Sequence, residues 1–252
     1  MEKKDPRYQA YIQILKEELI PAMGCTEPIA LAYAAAVARK TLGEMPDKVV
    51  VEASGSIIKK VKSVIVPNTG HLKGINAAAA AGIVAGDPDK QLEVIATVSQ
   101  EQIRLMKQFM EEVPIQVVHM EDGCTFDIIV TVFSGKSYAK VRIANFHTNI
   151  VLIEKNGEVL KSEAVSDDRE EGLTDRTLLD MEHIWDFAMT ADIDDVKALL
   201  DQQVAFNVAI AEEGIKNDYG ANIGKVLLDM DGNNVRVRAK AMAAAGSDAR
   251  MS

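Results

Sequence analysis

Cysteine is scarce in this chain, which contains two among its 252 residues. Two cysteines cannot build a disulfide framework, and the residues after Met1 lead into an amphipathic stretch rather than an apolar one, so the sequence predicts no secretory signal. Apolar runs are short as well. The longest, Ile29–Ala38, falls well below the roughly 20 residues needed to cross a bilayer. These shortages predict a protein of a reducing compartment, the cytoplasm.

An excess of positive charge is also missing. The chain has 28 Lys and Arg residues against 38 Asp and Glu, for a formal net charge of −10. A chain this acidic has no bulk attraction for phosphate backbones or anionic lipids, so neither nucleic acid nor membrane is an expected partner. Its 48% apolar and 26% charged residues are typical of a globular protein. The length allows one large domain or two small ones.

Predicted elements follow the order helices, a block rich in strands, then helices. We therefore predict an α+β fold, in which both chain ends form an all-helical domain and the middle inserts an α/β sandwich of mainly antiparallel strands and two helices. The predicted parts are residues 1–46, 47–161 and 162–252, with a polar linker at 162–172. The predicted strands are Lys48–Ala53, Val61–Val66, Leu92–Val98, Ile115–Met120, Phe126–Phe133, Tyr138–Ala144, Ile150–Glu154 and Glu158–Lys161. The last residues read as a helix entering a turn, so we expect the chain to be cut short there.

Cys25 is the leading candidate for chemistry. It stands just before a helix for which Thr26 is a suitable N-cap, and Glu27 falls in the first turn. The helix dipole and the free N–H groups favour a thiolate, so we expect a lowered pKa for Cys25. Two plainer readings stay open: a buried structural cysteine, and a carboxylate at Glu27 that only complements the dipole.

Two further segments could meet a small ligand. Pro67–Gly70 is a turn before a glycine-bearing helix start, whose N–H groups could hold an anion, although a plain turn is favoured. His147 and Asn149 lie at a strand junction with Arg142 nearby; they could face a substrate or only satisfy loop backbone groups. Cys124 is read as structural.

The segment Pro21–Pro28 resembles the PAxGCTEP signature of the L-cysteine desulfidase family, which is related to the α chain of iron–sulfur L-serine dehydratases. Four further segments are similar to motifs of that family in the same order along the chain: Val66–Gly70, His147–Gly157, Asn217–Gly224 and Ala245–Met251. The resemblance covers nearly the whole chain. It implies that this chain is the N-terminal portion of a longer enzyme.

The resemblance implies a lyase that converts L-cysteine to hydrogen sulfide, ammonia and pyruvate by α,β-elimination. It also implies a four-iron, four-sulfur cluster with an open iron that acts as a Lewis acid. Cys25 would be a cluster ligand or a catalytic thiolate, and Glu27 a catalytic residue. The substrate-side residues implied by the resemblance are Asn68, Thr69, Gly70, His147, Asn149 and Arg250.

One departure from the family pattern affects the mechanism. Such a cluster needs three or four thiolates, and this sequence has only Cys25 and Cys124. We therefore expect that this chain alone neither holds the cluster nor has lyase activity. Two alternatives stay open: an L-serine dehydratase, and a non-catalytic amino-acid-binding or assembly module. The Ala-rich and Gly-rich helices suggest tight packing between helices or between subunits, so a homo-oligomer is one open alternative.

Overall fold

Six strands of the described residues form one mixed sheet, in the order β2-β1-β3-β4-β5-β6. The computed structural model describes residues 1–21, 24–165 and 174–250, except the side chain of residue 250. β1 and β2 are parallel, and the other neighbours are antiparallel. The strands are β1 Lys48–Ser54, β2 Ile115–Met120, β3 Asp127–Ser134, β4 Ser137–Ala144, β5 Ile150–Lys155 and β6 Glu158–Ser162. The predicted α+β class is confirmed.

The chain divides into two units. One contains residues 1–21 and 166–250, and its described elements are helices; the other contains residues 22–165 and holds the sheet. We call them the helical unit and the sheet unit. The boundary that we predicted after residue 46 lies after residue 21 instead, because helix α2, Thr26–Leu42, packs on strands β3 and β4. An all-apolar helix next to a half-covered sheet buries more surface there than in a separate helical layer.

Close helix packing builds the core of the sheet unit. Every residue of α2 from Pro28 to Ala36 is buried, and α2 lies against α4, Gly74–Ala85, in which Ala77 to Ala81 are also buried. A Cβ atom added at Gly82 of α4 would lie 2.8 Å from the carbonyl carbon of Ala32 and 2.9 Å from its Cα. The two helices therefore approach at a distance that only glycine permits. This packing fixes the axis of α2 and the position of its first turn.

Two predicted strands are wrong. The run predicted as strand Val61–Val66 contributes only an isolated bridge between Ile65 and Lys73, and its first residue ends helix α3, Gly55–Val61. The hydroxyl of Ser54 accepts from the N–H of Ile57 as the N-cap of α3, whose buried residues are Ile57 and Val61. Part of the run predicted as strand Leu92–Val98 lies in a 3₁₀ turn, Pro88–Glu93, which Pro88 opens. β-branched residues fit either structure, and local capping decided between them. Helix α5, Gln100–Glu112, begins with a capping box of Ser99 and Gln102.

The helical unit has a small aromatic core. Its helices are α1 Pro6–Glu18, α6 Met181–Thr190, α7 Ile193–Lys216, α8 Ile223–Asp231 and α9 Val235–Arg250. The Phe187 ring packs edge-on against Tyr8 and Tyr11, at centroid distances of 5.3 and 5.4 Å. Residues 166–172 of the predicted linker lie outside the described residues. Among the helices that are described, none combines the length and apolarity of a membrane span.

Candidate functional site

The start of α2 places Cys25 and Glu27 side by side. Cys25 is the N-cap residue with an extended backbone, and Pro28 sits in the first turn, where its missing N–H costs nothing. The Cys25 thiol donates to Oε2 of Glu27 at 3.1 Å. Because the buried body of α2 is fixed against the sheet, this pair has a defined place at one end of the sheet unit.

Helix α3 adds a positive charge to the pair. Nζ of Lys60 donates to Oε1 of Glu27 at 2.8 Å, and the Glu27 side chain is only 14% exposed. A thiol and an ammonium thus share one carboxylate, each on a different oxygen. We call these three side chains together with His147 the α2-mouth cluster. Lys60 was missed in the sequence because it lay between two predicted strands; recognising Ser54 as a helix N-cap would have revealed it.

The expected thiolate at Cys25 is wrong at neutral pH. Burial, followed by the hydrogen bond to Glu27 and its negative charge, raises the pKa of Cys25 to about 11. For Glu27, burial raises the pKa, but the hydrogen bonds from Lys60 and Cys25 outweigh it and lower the pKa to about 2. A carboxylate 3.1 Å from the sulfur outweighs the helix dipole, which is equivalent to about half a charge. The thiol is therefore a protonated hydrogen-bond donor.

The charges of Glu27 and Lys60 act on His147, the fourth member of the cluster. Burial lowers the pKa of its imidazole, while the Glu27 charge raises the pKa and the Lys60 charge lowers it. The ring packs edge-on against Phe126 at a centroid distance of 4.5 Å. Its Nε2 atom is buried and has no hydrogen-bond partner among the described residues. A buried imidazole nitrogen that is neutral and unpaired can accept or donate a proton.

Two of the other predicted site residues hold loops together. Nδ2 of Asn68 donates to the carbonyls of Ile95 and Ala96, at 3.0 and 3.2 Å. Thr69 is fully buried, and its hydroxyl donates to the carbonyl of Val66 at 2.7 Å. A positive φ at Asn68 and a close Ile103 side chain at Gly70 complete a tight turn. These contacts favour the plain-turn reading of residues 67–70.

Asn149 and Arg250 are the remaining predicted substrate-side residues. Nδ2 of Asn149 donates to the carbonyl of Ala144 at 3.0 Å and closes the loop that carries His147. Asn149 therefore positions the imidazole's loop. The side chain of Arg250 lies outside the described residues.

Another polar pair lies at the start of β3. Asp127 is fully buried and binds the Arg142 guanidinium through two hydrogen bonds, of 2.9 and 2.6 Å. The same carboxylate accepts from the backbone N–H of Cys124 at 3.1 Å. The pair fixes the strand ends and the 121–126 loop, whose Phe126 supports His147. Direct pairing of β3 with β4 places Asp127 opposite Ala144, two residues beyond Arg142, and this register could not be read from the sequence.

The side chains of the described residues do not supply the ligands of an iron–sulfur cluster by themselves. Among the described residues, no three His, Cys, Asp or Glu side chains are grouped so as to hold a metal ion. The chain supplies at most two thiolates, Cys25 and Cys124. A four-iron cluster takes about three or four thiolate ligands, so these residues do not fit it by themselves.

Removing the carboxylate from the cluster is expected to activate the thiol. In Glu27→Gln, Cys25 loses the negative charge and the carboxylate acceptor, while the Lys60 ammonium stays, so its pKa falls toward the usual value for cysteine. Alkylation by iodoacetamide at pH 8 should accelerate by about threefold for each unit of that fall, because the tenfold gain in thiolate outweighs the accompanying loss of nucleophilicity. Peptide mass spectrometry separates Cys25 from Cys124, and Glu101→Gln is the control. An unchanged rate at Cys25 would show that burial alone sets its pKa.

The fold and this cluster define an α+β protein whose sheet unit carries a thiol, a carboxylate, an ammonium and an imidazole at the start of one helix.

The chain is similar over its whole length to a UPF0597 protein of Desulfitobacterium hafniense. The two are 56% identical over 252 residues, which cover 59% of the length of that relative. A UPF0597 protein of Lachnoclostridium phytofermentans is 46% identical, with 97% of this chain and 58% of the relative covered. One from Treponema denticola is 41% identical, with the same coverage.

These relatives correct the family expected from the motifs. The proteins that match the chain from end to end carry the UPF0597 name, so the assignment to the L-cysteine desulfidase and serine dehydratase-like family is wrong. Their names state no activity. The chain spans somewhat under two thirds of the length of these curated relatives. No family model matches the chain, and no solved structure matches it.

Proposed function

We propose that the sheet unit takes part in an α,β-elimination from a small amino acid, with L-cysteine as the first substrate and L-serine as the second. The observation that supports this proposal is the α2-mouth cluster. It combines two opposite charges, Lys60 and Glu27, with a neutral imidazole whose Nε2 is buried and unpaired within the described part of the chain. We place the reaction in the cytoplasm, which the low cysteine content supports.

The opposite charges of Lys60 and Glu27 match the carboxylate and the ammonium of a zwitterionic amino acid. The carboxylate of an amino acid can exchange for Glu27 at the Lys60 ammonium, and the α-ammonium can take the place of Lys60 at Glu27. Such an exchange keeps every charge paired, which a desolvated site requires. The substrate's α-carbon is then held between the two groups, near the His147 imidazole.

The proposed chemistry moves one proton and breaks one bond to sulfur. His147 Nε2 accepts the α-proton, because it is the group of the cluster that is neutral and free to accept at pH 7. The electrons of the C–H bond form the Cα=Cβ bond, and the Cβ–S pair leaves as HS⁻. The aminoacrylate tautomerises to an imine, which water hydrolyses to ammonia and pyruvate. The Cys25 thiol donates a hydrogen bond to Glu27 and keeps that carboxylate oriented.

The test measures sulfide and pyruvate under anaerobic conditions. It compares this chain with an extended chain. The extended chain is a hybrid in which this chain replaces the matching part of the Desulfitobacterium hafniense relative and the rest of that relative is kept. We expect equal amounts of the two products from L-cysteine with the extended chain, and a loss of about 10²–10⁴-fold in His147→Asn. The control is His119→Asn, an exposed residue of β2. Product from neither chain, or equal rates in the two variants, would contradict the proposal.

The raised pKa of Cys25 favours a second candidate, a module that binds an amino acid without converting it. A thiol with a pKa of about 11 is a hydrogen-bond donor at neutral pH rather than a nucleophile. Calorimetry separates the two candidates: binding of L-cysteine or L-serine that is weakened by Lys60→Met, with no product over hours, supports the module.

A further inference from the structure

Helix α6 of the helical unit is apolar on two opposite sides. One side buries Phe187 against the tyrosines of α1. The other side carries four large apolar residues at spacings of three and four, which places them along one face of the helix. They are Met181, Ile184, Trp185 and Met189, exposed by 81, 40, 69 and 66%. We call this face the α6 stripe.

Exposure of this kind marks an interaction surface. Single exposed apolar residues are ordinary, but a continuous apolar face on a helix that is already anchored on its other side needs a partner to cover it. Tryptophan is strongly enriched among residues that dominate binding energy, and Trp185 is the single tryptophan of the chain. Methionine adapts to irregular partner surfaces.

A second copy of the chain is a poor fit for the stripe. Glu182 and Asp186 lie along its border, and Asp186 keeps 47% exposure even while it pairs with the amino terminus. In a two-fold contact the same patch meets itself, so these carboxylates would face their own copies. The net charge of −10 adds long-range repulsion.

The longer relatives contain a section of polypeptide that could cover the α6 stripe in place of a second copy. The chain accounts for 58–59% of their length in the three comparisons described above, which leaves about two fifths of each relative without a counterpart. We propose that the α6 stripe is the docking surface for that unmatched section of polypeptide. The docked segment presents apolar side chains to Trp185 and Met189, and basic side chains to the acidic border. This proposal does not depend on the proposed function.

Trp185 reports directly on the docking. Acrylamide quenches an exposed indole efficiently and a covered one poorly, so the extended chain should show several-fold weaker quenching and a blue-shifted emission compared with the 252-residue chain. Tryptophans within the added section are replaced by Phe. Met189→Asp in the extended chain should restore the quenching seen without the section. Val159→Asp on β6, where Val159 is 55% exposed, is the matched control and should leave quenching unchanged.

Two results would overturn the proposal. One is equal quenching of Trp185 in the two chains while circular dichroism shows both folded. The other is protection of Trp185 in the 252-residue chain that grows with protein concentration, which assigns the stripe to a second copy. If the hybrid does not fold, the full-length relative with its only tryptophan placed at the position aligned with Trp185 gives the same readout.

Discussion

Gly82→Ala is expected to lower the free energy of unfolding by about 3 kcal/mol or more, at the upper end of the range for overpacking. The new Cβ atom would lie against the backbone of Ala32, 2.8 Å from its carbonyl carbon. A backbone atom in the middle of a buried helix cannot rotate away as a side chain can, so α2 and α4 must separate. Urea titration followed by circular dichroism measures the change.

The matched control is another helical glycine. At Gly246 of α9, an added Cβ atom meets Ala211 at 3.6 Å, which is an ordinary van der Waals distance. Gly246→Ala should therefore leave stability unchanged or raise it by up to about 1 kcal/mol, the helix propensity difference between the two residues. Equal effects of the two substitutions would refute the close approach of α2 and α4. Because the start of α2 carries Cys25 and Glu27, Gly82→Ala should also change the alkylation rate of Cys25.

Asp127→Asn is expected to destabilise the sheet unit by about 3 kcal/mol, the lower end of the cost of breaking a buried ion pair. Asp127 is fully buried, whereas Arg142 keeps 28% exposure and so regains part of its hydration. The substitution leaves a half-buried guanidinium without its charged partner, and it weakens the acceptor for the N–H of Cys124. The change is measured by thermal and urea unfolding.

A surface pair serves as the comparison for this loss. Glu101 and Arg104 on α5 are both well exposed, so Glu101→Gln should change stability by less than about 0.5 kcal/mol. A double variant, Asp127→Leu with Arg142→Met, should cost less than Asp127→Asn alone, because no uncompensated charge remains. If the double variant is the less stable one, the charges themselves stabilise this end of the sheet.

Local signals in the sequence were reliable where one pattern had one meaning. Thr26 and Glu27 indicated that α2 starts there, and the runs Ile150–Glu154 and Glu158–Lys161 indicated β5 and β6. They failed where the same residues fit two structures, as at Val61, which was predicted to begin a strand and is the last residue of α3. Only one cap hydrogen bond separates those outcomes, and a short β-branched run is compatible with both.

The sequence alone determined the α+β class and the acidic character, because both depend on composition and local pattern. It also placed Cys25 and Glu27 side by side, because they are two positions apart at the start of one helix. The tertiary structure alone decided the state of the thiol. Lys60, 35 residues from Cys25 in the sequence, reaches Glu27 only through the packing of α3. Burial, followed by the hydrogen bond to Glu27, raises the pKa of Cys25. Electrostatic interactions depend on distance and burial, which sequence spacing does not reveal.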